Sequence, residues 1–504
     1  MTITSYGTGA YRAAKPNEYV STRAQFDDLQ RQLSTKQRST SYGDLGIDRR
    51  VSLDLNGKIS QIDSWLSGIE LSNVNLKLSS QSVENFAKLA TESRNDMRSN
   101  SYVPAAGGRT APQVLAEEKF KQTLDLLNTA VNGRYLFSGK TSDTQPTASF
   151  DEIMNGDGAG KVGLRQLIEE RRQADVGSGL GRLTTTMPTT TSVTVTDEAS
   201  AYGFKLAGAT SSGAAIAVTY GNGAPSNVAA DVTAQPQPGD KVSLKLTLPD
   251  GTQEDIVLTA RAAGTSGSAA ETFQIGATTA DTANALKASI EAALDREAKM
   301  TLPAASAQVA ASDFFAGSPN NPPKRVPGPN FATTLAPPSN AGTAATTVTW
   351  YRGDDGSDPA RSTATVQVDQ GQVVGTGARA NEQAFRVGLA QFAVMSIMNF
   401  PASDPNSQAG YDAMASRVGD QLGFGGATQK PAEIITELGS AQTALAAAKE
   451  RHQSTKNYLD TTLSGIETVT TEEVATQILS LQTQLQASYQ VTSMLSKLSL
   501  TNFL

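Results

Sequence analysis

The two side chains most often used for acid–base or nucleophilic work near neutral pH, histidine and cysteine, are nearly absent from this sequence. There is one histidine, His452, and no cysteine. The lack of thiols excludes disulfides, thiolate metal sites and cysteine nucleophiles. His452 stands on an apolar helical stripe, with no second histidine to complete a metal site, and reads as a packed seam residue. The run Asn155-Gly156-Asp157-Gly158-Ala159-Gly160-Lys161-Val162 has the glycine content of a phosphate loop. Its spacing before Lys161 is wrong, however, and Val162 stands where a metal–nucleotide site needs a hydroxyl, so it reads as a glycine-rich turn. Asp354, Asp355 and Asp358 in RGDDGSDP would offer hard oxygen ligands to a cation, with a spacing unlike that of an EF-hand. An acidic turn after a strand explains them as well. Arg352-Gly353-Asp354 is also an adhesion tripeptide by type. No nucleophile, base and metal set converges, so no enzyme activity, cofactor or metal is expected.

The elements that carry these residues are organised around one stretch, Leu55 to Ala90. Steps of four and three from Leu55 reach Ile59, Ile62, Leu66, Ile69, Asn73, Leu76, Ser80, Val83, Ala87 and Ala90. Only Asn73 and Ser80 in that series are polar, and no proline falls between Ile47 and Val103. Apolar spacing of 3.5 residues held this long predicts one rod-like helix whose stripe needs partner helices. From Arg49 to Arg98 it would run roughly 75 Å at 1.5 Å per residue. Asn73 and Ser80 become candidate register or subunit-contact positions.

The same grammar recurs at both ends of the chain. Tyr19, Thr22, Phe26, Leu29 and Leu33 predict a first helix, joined to the rod through Ser39–Gly46 with its two glycines. A helix is expected over Pro112–Val131, stopped by Asn132-Gly133, then a short strand over Arg134–Gly139. Near the other end, Phe385, Leu389 and Phe392 begin a helix that stops near Pro401. From Pro431 a long helix carries Ile434, Leu438, Ala441, Leu445, Ala448, His452, Thr455, Leu459, Thr462 and Ile466. Glu472 to Ser499 then carries Val474, Ile478, Leu481, Leu485, Val491, Leu495 and Leu498, with a one-residue slip before Val491.

Between about Gly177 and Gly377 the composition shifts to Thr, Ala, Gly, Ser and Pro. Ser192–Val195 and Lys241–Leu248 alternate as strands, and Pro249-Asp250-Gly251 turns the second into Ile256–Leu258. A lone amphipathic helix is expected over Thr282–Glu297, and further strands over Val348–Tyr351 and Thr365–Val368. The expected fold is mainly α, a long helical bundle or coiled-coil rod built by both chain ends, with an inserted strand-rich α+β outer lobe. The expected boundaries are 1–45 with 467–504 for terminal helices, 46–177 with 378–466 for the rod, and 178–377 for the lobe.

The 504 residues carry 42 basic and 49 acidic side chains, a net charge of −7, so no broad basic surface points to nucleic acid. No apolar run of about eighteen residues is present to enter a membrane, and no basic-then-apolar leader opens the sequence.

Several segments of the two ends resemble the bacterial flagellin family, which includes filament flagellins and the hook–filament junction protein. Leu33–Arg38 (LSTKQR) resembles that family's LSSGLR segment, with Lys36 in the place of its glycine. Ile47–Ile59 (IDRRVSLDLNGKI) and Ile69–Phe86 (IELSNVNLKLSSQSVENF) are similar to the stretches that follow it. Asn132–Gly139 (NGRYLFSG) is similar to a motif frequent in junction proteins, and Gln484–Gln490 (QLQASYQ) and Leu498–Leu504 (LSLTNFL) to the family's C-terminus. Glu84–Ala90 (ENFAKLA) departs from the family's innate-receptor stretch at Asn85 and Ala87, where that stretch has arginines. The resemblance implies stacking of identical subunits into a tubular helical polymer beside neighbouring flagellar axial proteins. It also implies export through the flagellar type III apparatus with a chaperone, without a cleaved signal, to an extracellular flagellum. The residues expected to carry helix packing and assembly are Phe26, Leu29, Leu33, Leu55, Ile59, Ile62, Leu66, Ile69, Leu76, Val83, Leu438, Leu445, Leu459, Val474, Ile478, Leu481, Leu485, Leu495 and Leu498. An adhesin-like binding module in the middle lobe is the competing class.

Overall fold

The computed structural model describes the backbone of residues 8–99, 101–105 and 107–501, and side chains from 20 to 494 within those ranges. In chain order the elements are α1 (Thr8–Thr35), α2 (Arg49–Ser99), α3 (Ala111–Leu127), β1 (Ala130–Val131), β2 (Arg134–Tyr135), α4 (Phe150–Asn155) and α5 (Leu164–Val176). Then come β3 (Leu183–Thr186), β4 (Ser192–Asp197), β5 (Lys205–Ser211), β6 (Ile216–Gly221), β7 (Asn227–Val232), β8 (Lys241–Thr247), β9 (Gln253–Arg261), β10 (Thr272–Gln274) and α6 (Thr279–Phe315). The last are β11 (Thr365–Asp369), β12 (Gln372–Gly375), α7 (Gln383–Ile397), α8 (Ser407–Gln421), α9 (Pro431–Glu467) and α10 (Thr471–Thr501). The chain divides into two units, one of residues 1–71, 367–373 and 443–504, the other of 72–366 and 374–442. Long helices at both ends and a strand-rich middle agree with the expected class.

In the first unit α2 and α9 run antiparallel. Lys456 pairs with Asp63 at 2.5 Å and Lys449 with Glu70 at 2.9 Å, so a rise of seven on α2 meets a fall of seven on α9. Glu467 closes the far end, accepting from Ser52 Oγ and Asn56 Nδ2. Inside lie Leu55, Ile62 and Ile69 of α2 with Leu445, Ala448 and His452 of α9. α1 packs along α10. Their ends are clamped where Arg38 N donates to the Glu467 carbonyl at 2.8 Å and Val469 N to the Lys36 carbonyl at 3.1 Å. Lys36 leaves α1 at φ +58°, the left-handed region that costs any residue with a Cβ. That is the position where the resembling segment carries glycine.

In the second unit the strands make two four-stranded sheets, ordered β10-β9-β8-β5 and β3-β4-β7-β6. The β8–β9 hairpin has the register Leu244↔Ile256 and Thr247↔Gln253, as the alternation over Lys241–Leu248 predicts. Their inner faces share one core with Leu286, Ile290 and Leu294 of α6. α6 opens on a capping box between Thr278 and Asp281 and continues far beyond the expected Glu297. It passes through Pro303 to Phe315, and Leu302, Ala304, Ala305, Ala307 and Ala311 are all buried. A helix buried all round shows no polar face, so its periodicity vanishes, and its proline mimics a stop.

Other expectations need correction. Val348–Tyr351 is no strand: Tyr351 makes one bridge, to Thr147, while Trp350 is buried and donates from Nε1 to the Phe315 carbonyl at 2.9 Å. The third helix stops at Leu127, and Ala130–Val131 pairs with Arg134–Tyr135 across Asn132-Gly133, both at positive φ as a tight hairpin turn requires. The strand expected to reach Gly139 ends at Tyr135, and α1 begins at Thr8, ahead of Tyr19. Helices α4, α5 and α8 fall where no element was expected.

α5 holds the charged run Glu169–Asp175, which resolves into inward and outward faces. Asp175 is fully buried; it takes Arg171 Nε at 2.7 Å, Ser306 Oγ at 2.7 Å and the Gly203 amide at 2.9 Å. Glu170 is forked by Arg325 at 2.6 and 2.8 Å, while Glu169 and Arg172 pair at the surface. Replacing Asp175 by Ala strands the buried Arg171 and is expected to cost about 3–5 kcal/mol in urea unfolding. Glu169→Ala should cost less than about 1 kcal/mol; equal costs would refute this division. Lys36→Gly is expected to stabilise the first unit by about 1 kcal/mol, read as a higher thermal midpoint.

Candidate assembly surface

The residues with chemical potential are engaged in structure. His452 is buried on α9, with Nε2 2.5 Å from the Val368 carbonyl oxygen. A carbonyl only accepts, so Nε2–H donates. The imidazole also lies against Trp65, with ring centroids 5.1 Å apart. Beside it Arg451 pairs with Asp369 at 3.3 Å. His452 thus joins the 367–373 turn to α2 and α9 within the first unit.

The glycine-rich run closes on itself. Gly156 bridges Val162, and the Asp157 carboxylate accepts from the amides of Ala159 at 2.8 Å and Lys161 at 2.9 Å. Those two amides hold the Asp157 carboxyl below the usual range. A phosphate would find these donors taken. In RGDDGSDP every charged side chain has a partner: Arg352 meets Glu152, Asp354 meets Arg379 at 2.6 Å, Asp355 takes the Asn320 amide at 2.7 Å, and Asp358 meets Lys140 at 2.5 Å. Among the described residues no group of three His, Cys, Asp or Glu side chains is placed to hold a metal ion.

The residues expected to pack helices separate into three groups. Leu55, Ile62, Ile69, Leu76, Val83, Leu438, Leu445, Val474 and Leu481 are buried. Phe26, Leu29, Ile59, Leu66, Leu459, Ile478 and Leu485 are half-buried, and Leu33 is exposed. The side chains of Leu495 and Leu498 lie outside the described residues. Asn73 is exposed and Ser80 half-buried, so Asn73 is no part of a buried seam. On α2 the buried row keeps a strict seven-residue step, through Leu55, Ile62, Ile69, Leu76, Val83, Ala90 and Met97, while the alternate positions are wetter.

Large apolar side chains off the predicted stripes, together with Val491 on the α10 stripe, face outward. In the first unit Tyr458, Leu479, Val491 and Met494 are 72, 63, 56 and 62% exposed, and Val20, Val51, Leu53 and Leu71 also face outward. Scattered exposed apolar residues are ordinary; four on one terminal helix, α10, counting Tyr489, are denser than folding requires. For all of these but Val491, the signal was present in sequence as apolar residues between the stripe positions. No helix among the described residues is long and apolar enough to cross a membrane.

His452→Phe keeps a ring against Trp65 but removes the donor to the Val368 carbonyl, which is expected to cost about 1–3 kcal/mol locally. Hydrogen exchange should quicken over 367–373 and stay unchanged over β8–β9. Unchanged protection at 367–373 would show that the bond holds nothing there.

The family model of the bacterial flagellin C-terminal helical region matches residues 424–504, which include α9 and α10. No curated protein matches the chain. The likeness to the bacterial flagellin family rests on this C-terminal helical region.

Proposed function

We propose that this chain is a self-assembling structural subunit of the bacterial flagellar filament, serving motility outside the cell. The observation that carries the reading is the set of exposed apolar residues Leu479, Val491 and Met494 on α10, within the stretch that matches the flagellin C-terminal region. Such surface lowers its free energy when a second copy covers it, by roughly 25 cal/mol per Å² removed from water. Head-to-tail contacts of this kind that do not close produce helical polymers. In this reading 1–45 and 467–504 are the inner-tube helices, 46–177 with 378–466 the rod, and 178–377 the outer lobe. Its partners are identical subunits and neighbouring axial proteins, with the export apparatus and a chaperone acting before assembly.

A second reading, the hook–filament junction protein, is favoured by NGRYLFSG, whose Asn132-Gly133 forms the tight β1–β2 turn. A deletion strain separates the two. Loss of a filament subunit leaves hooks without filaments, whereas loss of the junction sheds monomeric flagellin into the medium.

The double substitution Leu479→Asp with Met494→Asp tests assembly itself. Both sites are exposed, so the monomer's unfolding free energy should shift by less than about 1 kcal/mol. Seeded polymerisation, read by sedimentation and electron microscopy, should be abolished. Normal tubes from the double variant would sink the proposal.

A further inference from the structure

Several arginines of the second unit have no carboxylate partner, among them Arg94, Arg261 and Arg386, and of these Arg386 lines a cleft. Arg386, in the first turn of α7, is half-buried, and its Nε is shut off from water with no hydrogen-bond acceptor. Among the described residues no carboxylate pairs with its guanidinium. Burial alone pushes its proton affinity down, with no neighbouring acid to hold it up. Arg361, Arg379 and Arg417 nearby each meet a carboxylate: Glu382, Asp354 and Asp250 respectively. An unpaired, partly desolvated guanidinium is costly, and the group that best relieves it is a planar oxyanion taken by two parallel N–H bonds.

Arg386 lines a cleft of about 370 Å³ between α6, α7, α8 and the β8–β9 turn, all within the second unit. The other charged groups on its wall are Asp250, already held by Arg417 at 2.7 Å, and Asp313, whose carboxyl burial pushes up toward the neutral form. Most of the remaining polar wall is amide and hydroxyl: Gln308, Gln383, Gln391, Gln421 and Ser312. Gln308 and Gln391 satisfy each other at 2.7 and 2.9 Å, whereas Gln421 stands at the exposed rim. The volume sits at the low end of small-ligand pockets, roughly 300–1,000 Å³, too small for a helix of a partner chain. Amides both donate and accept, which suits hydroxyls flanking a charged group.

We propose that this cleft binds a small hydroxylated carboxylate of sugar-acid size, with the Arg386 guanidinium forking its carboxylate and the amide wall taking its hydroxyls. This reading is independent of assembly.

The test uses the full chain in dilute solution, titrated calorimetrically with D-galacturonate and, as the neutral control, D-galactose. Galacturonate should bind saturably with a Kd of about 1 mM or tighter, and galactose at least about tenfold more weakly. Arg386→Gln should weaken galacturonate at least about tenfold while leaving the thermal midpoint unchanged or raised, since it removes an unpaired charge. Gln421→Glu, at an exposed position, leaves folding untouched and should weaken the acid but not the neutral sugar. It keeps the test decisive if Arg386→Gln folds poorly. Absence of saturable galacturonate binding, equal affinity for galactose, or full affinity in Arg386→Gln or Gln421→Glu would overturn the proposal. A lowered midpoint in a folded Arg386→Gln would make the guanidinium structural and overturn it too.

Discussion

A 51-residue helix with an apolar residue buried at every seventh position cannot cover that row by itself. That requirement on α2 governs much of the rest. In the first unit the cover comes from α9, more than 370 residues later in the chain, and it is aligned by Lys456–Asp63, Lys449–Glu70 and the contacts of Glu467. In the second unit the row continues through Leu76, Val83, Ala90 and Met97, and Phe86, also buried on α2, packs edge-on against Phe385 and Phe424. Closing so long a loop costs only logarithmically more than closing a short one, so a large insertion between the two partners is tolerated. The α2 row is therefore compatible with almost any middle segment that returns the chain to α9.

The charged groups follow a related rule. Where the fold is dense, charges are inward and paired: Asp175 with Arg171, Glu170 with Arg325, Asp354 with Arg379. Each pair holds together segments separated in sequence or turns of one helix, and each depends on burial for its strength. The same accounting disposes of the segments that resemble sites of chemistry. RGDDGSDP and NGDGAGKV present attractive residue types, yet their donors and acceptors are spent on local structure. Arg386 breaks the rule, as do Arg94 and Arg261, whose Nε atoms are also buried without an acceptor.

Folding and assembly draw on different residues of the same helices. Val474 and Leu481 of α10 are inside, while Leu479, Val491 and Met494 face out. A helix that packs on one side only has apolar positions to spare on the other, and those are available to a second copy. The match of this region to the flagellin C-terminal helices supplies the context in which such spare surface has a use.

The helical ends, the strand-rich middle and the β8–β9 hairpin were readable from residue order alone. Each has one wet and one dry face, and periodicity reports that contrast. The extent of α6 was not readable, because Ala304 to Ala311 is dry on most sides and Pro303 imitates an end. Neither were α5's buried ion pairs, since Glu170 and Asp175 look like surface charges until Arg325 and Ser306 arrive from more than 130 residues away. Trp350 and Tyr351 looked like a strand by type, yet are held by Phe315 and Thr147 without one. Sequence determined which helices carry an apolar stripe. Only tertiary structure decided which stripe residues are covered, which charges are paired and which guanidinium groups were left without an acid, because burial is a property of neighbours that residue order does not name.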